Sequence, residues 1–598
     1  MDYDRWRNLP TMFFEQAGRR GSKPFLWAKR AGHYGPVTWA EAARDVRCIA
    51  LGLRNLGIGR GERIALVSEN RPEWILADLA IMSSGAITVP AYVTNTVEDH
   101  RHVLANSGAR AVIVSKPALS ARVLAAANQV DSVHSVITFE PAMGQASAVD
   151  LLSWEAVMAS GAAAADDIGE IIAAIELDDI ACLIYTSGTG GTPKGVMTTH
   201  RNILANCRGA YHVLETLRLG DEVFLSFLPL SHSYEHTAGE MFPISIGAQI
   251  YFAESAETLA ANMLEARPTI MTAVPRLYET LHQRIRRSIA RKNGAARKMF
   301  DQAVTIGEKR LLSQAPSIGE RLLDPFLDRL VRAKMRARFG GRLKAMVSGG
   351  APLNPEIGRF FLALGITLLQ GYGQTEAGPV ITCNLPERIK TDTVGPPLDG
   401  VQLDLAEDGE ILVAGENVMK GYWNDPEATA QVLADGWLHT GDVGTIDADG
   451  HLRITDRKRD FIKNSGGEMI SPARIEGYLT LEPEIAQVMV FGDRHPYLVA
   501  VVVPDPEFVA GYAAADRPPD LATLATDPGF NKTLGAVIAR VNRTLSPVER
   551  VRRFIIAAEP FTVANGQMTP TLKIKRHAIR EAYGAALDAL YHTKEIAA

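Results

Sequence analysis

Short apolar runs alternate with longer amphipathic segments from about residue 40 to residue 385. RIALVS (63–68) reads as a buried strand, followed by a loop and a helix that opens at Pro72. AVIVS (111–115), IACLIYTS (180–187), EVFLSF (222–227), AQIYF (248–252) and KAMVS (344–348) repeat the theme. Strands separated by helical segments predict parallel sheets with helices on both faces. Several of these strands end in Gly, Ser or Pro, and open parallel sheets take their ligands at strand ends.

After residue 395 the texture changes to short strands with tight turns, at EDG (407–409) and DADG (447–450). Asp-Gly between alternating residues is a strong hairpin signal, so a small β subdomain is expected over about 395–456. A further α+β unit follows, with a helix from Pro472 and strands at QVMVFG (487–492) and LVAVVVP (498–504). The charged stretch DRKRD (456–460) has almost nothing to bury and marks the boundary. The predicted fold class is α/β: a large N-terminal domain (1–456) of doubly wound sheets with its β subdomain, then a smaller α+β C-terminal domain (461–598). Ala/Gly-rich sequence at 156–165 reads as a surface linker. A basic run through Arg284, Arg286, Arg287, Arg291, Lys292, Arg297 and Lys298 reads either as a solvated helix face or as a surface drawn to anionic lipid head groups.

Composition narrows the class. With 598 residues, 46% hydrophobic and 22% charged, the chain is a multidomain globular protein rather than a disordered one. A net charge of −5 argues against a nucleic-acid partner. Cys48, Cys182, Cys207 and Cys383 lie far apart, without metal-ligand spacing, and are expected to be buried thiols in a reducing compartment. MDYDRWRNLP lacks the apolar run of a signal peptide, and no stretch of about 18 apolar residues occurs, so a cytoplasmic protein is expected, with peripheral membrane contact left open.

The candidate chemistry begins at YTSGTGGTPKGV (185–196), which follows an apolar strand. Its glycines let backbone N–H groups approach phosphate oxygens, and its hydroxyls and Lys194 add donors and charge. The P-loop pattern requires a glycine before the lysine and a hydroxyl after it, and here Lys194 stands between Pro193 and Gly195. A purely structural turn would not need three threonines, a serine and a lysine together.

This segment resembles the first core motif of the adenylate-forming superfamily, departing at Gly190, where the commoner pattern has threonine. The other motifs follow in order: SGGAPL (348–353), QGYGQTE (370–376), DGWLHTGDVG (435–444), HLRITDRKRD (451–460) and NGQMTPTLKIKR (565–576). The stretch from Asp435 to Asp460 is similar to the signature of fatty acyl-CoA synthetases, the TPTLKIKR form (569–576) resembles their long-chain branch, and the resemblance covers about residues 10–585. It implies ATP, Mg²⁺ and coenzyme A as cofactors. Thr186, Ser187, Gly188, Thr189, Gly190, Gly191, Thr192 and Lys194 would cradle the phosphates. Gly350, Ala351, Gln370, Gly371, Tyr372 and Gly373 would hold the adenine, with Tyr372 against the base. Thr375 would contact the α-phosphate, Asp442 the ribose hydroxyls, and Arg457 ribose or phosphate. Glu376, with Thr186 as companion, would attend the metal.

Matching K-I-x-R to the family pattern assigns the adenylation lysine to Lys573 rather than Lys575. Leu572 stands where many relatives have glycine. His232, in LPLSHSYEH (228–236), would gate the carboxylate pocket. The resemblance further implies that the C-terminal domain is mobile about a hinge at 457–460, with Arg459 at its centre. Gly466 and Gly467 would lie beside a pantetheine channel. The expected reaction is ATP-dependent activation of a long-chain fatty acid to an acyl-adenylate, then transfer to coenzyme A. Its alternatives are an acyl-AMP ligase loading a carrier protein, or a catalytically silent nucleotide- and fatty-acid-binding protein. The oligomeric state is open, with a homodimer as the candidate.

Overall fold

The computed structural model describes residues 1–142, 148–186, 192–255, 257–458, 460–512, 520–569 and 573–592. Its first sheet has seven strands, in the spatial order Asp150–Ser153, Ser135–Thr138, Ala111–Val114, Arg63–Val67, Ile87–Ala91, Ile180–Thr186, Lys194–Thr199. All neighbours are parallel except the last pair, a hairpin. A second, eight-stranded sheet runs Val380–Cys383, Leu368–Gly373, Ala345–Ser348, Ile270–Ala273, Val223–Ser226, Gln249–Phe252, Pro24–Arg30, His33–Thr38, parallel inside and antiparallel at both edges. The apolar runs are strands because they are covered on both faces. Helix Pro72–Ser83 is buried all round except at Glu73, and its Trp74, Ile75 and Leu79 share one core with Leu66 of the first sheet and Phe224 and Ile250 of the second. A helix apolar on every side belongs between layers.

The Ala/Gly-rich stretch is not a linker. Trp154–Ala162 is a helix, capped by Ser153, that lies against helix Trp39–Asn55. A Cβ on Gly161 would stand 1.7 Å from the Cys48 carbonyl oxygen, and one on Gly52 would stand 2.1 Å from that of Val157. The small residues let two backbones touch. All four cysteines are buried and free.

The Asp-Gly turns close two hairpins of a five-stranded sheet, Val401–Leu405 with Glu410–Gly415 and Trp437–Ile446 with Leu452–Arg457. The second hairpin runs into the charged stretch: Asp456 is buried and Arg457 still pairs in the ladder. The C-terminal domain is built on strands Ile485–Phe491, Leu498–Pro504 and Val551–Ile556, covered by helices Pro472–Leu479, Pro528–Asn542 and Arg576–His592. It meets the large domain largely through polar contacts among the described residues. Asn354 donates to the Gly477 carbonyl (3.2 Å), Arg287 donates to the Pro483 carbonyl (3.2 Å), and Arg287 pairs with Asp505 (2.8 Å) and Glu507 (3.1 Å). Leu481 adds an apolar side chain packed against the large domain's core. Such an interface suits domains that move relative to one another. Among the described residues no helix is long and apolar enough to cross a membrane.

Candidate active site

The phosphate-loop segment is carried by the hairpin Ile180–Thr186/Lys194–Thr199, in which Thr186 stands opposite Lys194. Ser187, Gly188, Thr189, Gly190 and Gly191 lie outside the described residues. Thr192 is exposed. The half-exposed Lys194 ammonium is 3.8 Å from Asp425 and 5.0 Å from the ring centre of Tyr422. The Tyr422 hydroxyl in turn donates to Glu376 Oε1 at 2.8 Å. Burial pushes the Glu376 carboxyl above its ordinary range, and Tyr422 opposes that push by stabilising the anion. Tyr422 thus joins the hairpin that carries Lys194 to Glu376. No motif singled it out; the only signal in the sequence is an aromatic pair, Tyr422-Trp423, set in a loop between Gly421 and Asn424.

The strand Ala345–Ser348 ends in a turn where Gly350 takes φ +84°, with Ala351 exposed beside it. Only glycine enters this conformation without strain. In the next strand, Leu368–Gly373, a Cβ on Gly373 would lie 1.9 Å from the Pro379 carbonyl oxygen and one on Gly371 would lie 3.1 Å from that of Thr382. Those two glycines serve a tight edge hairpin. The Gln370 amide donates to the Thr391 carbonyl (2.7 Å), so its side chain pins a neighbouring loop.

Tyr372 is buried and donates its hydroxyl to Asp442 Oδ2 at 2.7 Å. Asp442 Oδ1 faces Arg457 Nε at 3.2 Å across the antiparallel ladder. Burial raises the Asp442 carboxyl and Arg457 draws it back down. The approach to Asp442 is held by Glu410, which accepts from the Gly441 N–H (2.8 Å) and pairs with Lys458 (2.8 Å).

Thr375 shares a 2.9 Å hydrogen bond with the hydroxyl of Ser233. The adjacent His232 caps the short helix Ser233–Glu235, its Nδ1 accepting from the Tyr234 N–H at 3.2 Å. Burial holds the His232 imidazole neutral, lowering its pKa to about 3, and the charge of Lys573 adds to the effect. Lys573 comes from the C-terminal domain, beside an isolated bridge between Met568 and Ile574, with its N–H donating to the Thr569 hydroxyl (3.1 Å). Burial and the nearby Arg457 charge bring its pKa down to about 8, while Asp442 works in the opposite direction. Lys573, Arg457, Asp442 and His232 therefore share one electrostatic environment although they span most of the chain. Gly466 and Gly467 stand apart from this group, in an exposed turn of the C-terminal domain where the Ser465 N–H donates to the His495 carbonyl (3.0 Å). Arg459 lies outside the described residues.

Chemically the site offers a buried carboxylate suited to a diol, a carboxylate and hydroxyl (Glu376, Thr186) of the hard-oxygen type that Mg²⁺ accepts, and cations converging from two domains. Next to Thr375, through Ser233, lies an apolar cluster of Leu228, Tyr234 and Val274 with Phe227 and Ala238.

Residues 13–423 match the family described as AMP-binding enzyme, and residues 459–595 match the AMP-binding enzyme C-terminal domain. The long-chain-fatty-acid–CoA ligase FadD15 of Mycobacterium bovis is 34% identical over 596 residues, covering 98% of this chain and 97% of that protein. Long-chain-fatty-acid–CoA ligase 6 of Homo sapiens is 31% identical over 626 residues, covering 98% and 87%. Among solved structures, the adenylation domain of a carboxylate reductase from Mycobacterium chelonae superposes with a TM-score of 0.77 at 24% identity, covering 98% of this chain and 91% of that one. The anthranilate CoA ligase AuaEII in complex with anthranoyl-AMP does so with a TM-score of 0.72 at 20% identity, covering 98% and 100%. At those identities the two structures speak for the fold alone.

Proposed function

The chain belongs to the AMP-binding enzyme family, and from that premise we propose how its own residues divide the work of a long-chain fatty acid–CoA ligase. The enzyme activates a fatty acid with ATP and passes it to coenzyme A, giving acyl-CoA, AMP and pyrophosphate. In the first step a carboxylate oxygen bonds to the α-phosphorus of ATP and pyrophosphate leaves. In the second, the thiol sulfur of coenzyme A bonds to the acyl carbonyl carbon, the bond to the phosphate oxygen breaks, and AMP leaves.

The observation that supports the assignment of roles is the electrostatic coupling of Lys573, from the C-terminal domain, with Asp442, Arg457 and His232 of the large domain. Two anions meet in the first step, and a positioned cation where charge develops is worth roughly 3–4 kcal/mol in the transition state. Lys573 supplies that cation, Asp442 holds the ribose, Thr375 meets the α-phosphate, and neutral His232 borders the carboxylate entrance. Thr186 and Glu376 would hold Mg²⁺, which when bound neutralises charge on the phosphate oxygens. The apolar cluster around Tyr234 and Val274 receives the start of the acyl chain. The second step requires Lys573 to withdraw, which a hinge at 457–460 with Arg459 at its centre provides, and Gly466 and Gly467 then border the pantetheine arm. A long-chain acid partitions into bilayers, so the reading includes peripheral contact of a cytoplasmic protein with a membrane surface.

The test is direct. The protein is incubated with ATP, Mg²⁺ and an equimolar panel of short- to long-chain acids, with and without coenzyme A, and acyl-AMP and acyl-CoA are read by mass spectrometry. Long-chain acyl-CoA formed only with coenzyme A is the expected result. Acyl-AMP that accumulates regardless of coenzyme A would point to carrier-protein loading instead, and no product would point to a silent binding protein.

A further inference from the structure

The helical hairpin Gly294–Leu311/Ile318–Leu327, with the continuation to Arg338, has no part in the chemistry described above. Its second helix is built on three lines of residues four apart. The inner line packs: Leu323 and Leu327 join Ala303 and Ile306 in a small core. A second line is acidic and neutralised internally: Glu320 pairs with Lys309 (2.5 Å), Asp324 with Arg332 (2.8 Å) and Arg310 (2.5 Å), and Asp328 with Arg336 (3.0 Å). The third line is apolar and faces solvent. Ile318 is 79% exposed, Leu322 71%, Phe326 67% and Leu330 44%, and Leu311 and Leu312 at the end of the first helix extend the patch. Six of the fourteen large exposed apolar side chains among the described residues fall within these twenty positions. Scattered apolar residues on a surface need no explanation, but a contiguous ridge does.

The same four-residue step continues from Leu330 to Lys334 and Arg338, both exposed. Arg329, Lys334 and Arg338 have no ion-pair partner among the described residues. Between residues 284 and 338 the chain carries fifteen Lys and Arg against five Asp and Glu, a net charge of +10 inside a chain of −5. Leucines and a phenylalanine on a ridge flanked by unpaired cations are what an interfacial helix presents to an anionic bilayer, its apolar face in the acyl boundary and its cations at the head groups. A protein groove would be matched by a patch of the same apolar character but would have no need of the surplus of positive charge. The hairpin also stands at the far end of helix Pro275–Ala290, whose first residue follows Val274 of the apolar cluster at the active site; sixteen residues of helix span about 24 Å.

We propose that this ridge, Ile318, Leu322, Phe326 and Leu330 with Leu311 and Leu312, is a docking surface for anionic membranes and seats the enzyme on a lipid surface through the hairpin 294–338. The apolar line enters the interface, and cations such as Arg329, Lys334 and Arg338, without ion-pair partners among the described residues, confer the preference for negative head groups. This surface rests on the peripheral membrane contact in the proposed function and gives it a place in the fold; its binding is measured without turnover, so its failure and that of the ligase chemistry are distinguishable.

The test is flotation of the full chain with vesicles of phosphatidylcholine alone and of phosphatidylcholine with about one part in three phosphatidylglycerol. The wild-type protein is expected to float with the anionic vesicles and to be released by high salt. Leu322→Glu/Phe326→Glu, at exposed positions, is expected to bind them about tenfold more weakly or worse, while its turnover of a detergent-dispersed acid stays at the wild-type level, which shows that it has folded. Arg329→Gln/Lys334→Gln/Arg338→Gln is expected to lose the preference for phosphatidylglycerol over phosphatidylcholine alone. Equal flotation of wild type and the Leu322/Phe326 variant overturns the proposal. So does a wild type that fails to float, including one whose ridge instead holds two copies together, seen as a dimer that the same substitutions dissociate in light scattering.

Discussion

Asp442 and Arg457 stand opposite one another in a single antiparallel ladder, Oδ1 to Nε at 3.2 Å, while the other oxygen of Asp442 accepts the Tyr372 hydroxyl at 2.7 Å. One hairpin therefore sets a carboxylate against a guanidinium and ties both to an aromatic ring from the second sheet, so that three different motifs meet. Asp442→Asn keeps the shape but loses the charge that orients both partners. A hydrogen bond to a charged group is worth roughly 1.5–3 kcal/mol, so KM for ATP should rise about 10- to 100-fold with a smaller change in kcat. Steady-state kinetics at varied ATP measures it, and an unchanged KM would remove Asp442 from the nucleotide site.

Tyr422→Phe tests the link between Glu376 and the phosphate hairpin. Burial already raises the Glu376 carboxyl and the Tyr422 hydroxyl counteracts this. Without the hydroxyl the pKa should climb further, so a larger fraction is protonated and inactive at any given acidic pH. The acid limb of the kcat/KM profile should move to higher pH. A limb that stays in place would mean that Glu376 does not need its charge.

The domain contact gives a prediction about the two half-reactions. Arg287 pairs with Asp505 and Glu507 and donates to the Pro483 carbonyl. Partly exposed pairs contribute about 0.2–1 kcal/mol each, so Arg287→Glu should lower the population of this arrangement and slow acyl-adenylate formation by roughly 3- to 30-fold. Thioester formation from supplied acyl-adenylate should be spared. Arg459→Pro should do the reverse, slowing thioester formation far more than adenylation. Equal effects on both half-reactions, from either variant, would count against a two-position mechanism.

Gly161→Leu probes the helix pair under the first sheet. No Cβ fits 1.7 Å from the Cys48 carbonyl oxygen, so helices Trp39–Asn55 and Trp154–Ala162 must separate. Overpacking costs typically about 1–3 kcal/mol, and the midpoint of thermal unfolding should drop by a few degrees or more. Unaltered unfolding would show that the contact is slack.

That same glycine shows where the sequence reading stops. The apolar runs at 63–68 and 111–115 were legible as strands because burial on both faces leaves a continuous signature, and the Asp-Gly turns at 407–409 and 447–450 were legible as hairpins because their backbone demands those residues. At 156–165, small residues suit a linker and a close helix crossing equally well, and only the partner, Gly52, distinguishes them. The site behaves similarly. Asp442, Arg457 and Lys573 sit in motifs whose order along the chain is itself informative. Tyr422 and Ser233 act through one hydroxyl each, and a lone hydroxyl has no period or spacing to reveal it. The Gln370 amide illustrates the converse, a motif residue whose side chain bonds to the Thr391 carbonyl.

The assignment of roles stands or falls with Lys573, a cation from the C-terminal domain whose charge acts on His232 and is itself acted on by Asp442. The decisive measurement separates the half-reactions of Lys573→Ala: acyl-adenylate formed from acid and ATP, and acyl-CoA formed from supplied acyl-adenylate and coenzyme A. Loss of roughly 3–4 kcal/mol of transition-state stabilisation corresponds to a drop of about 10²- to 10³-fold in the first rate, with the second close to wild type. Equal loss in both, or no loss in the first, would contradict the placement of Lys573 as the residue that neutralises the adenylation step.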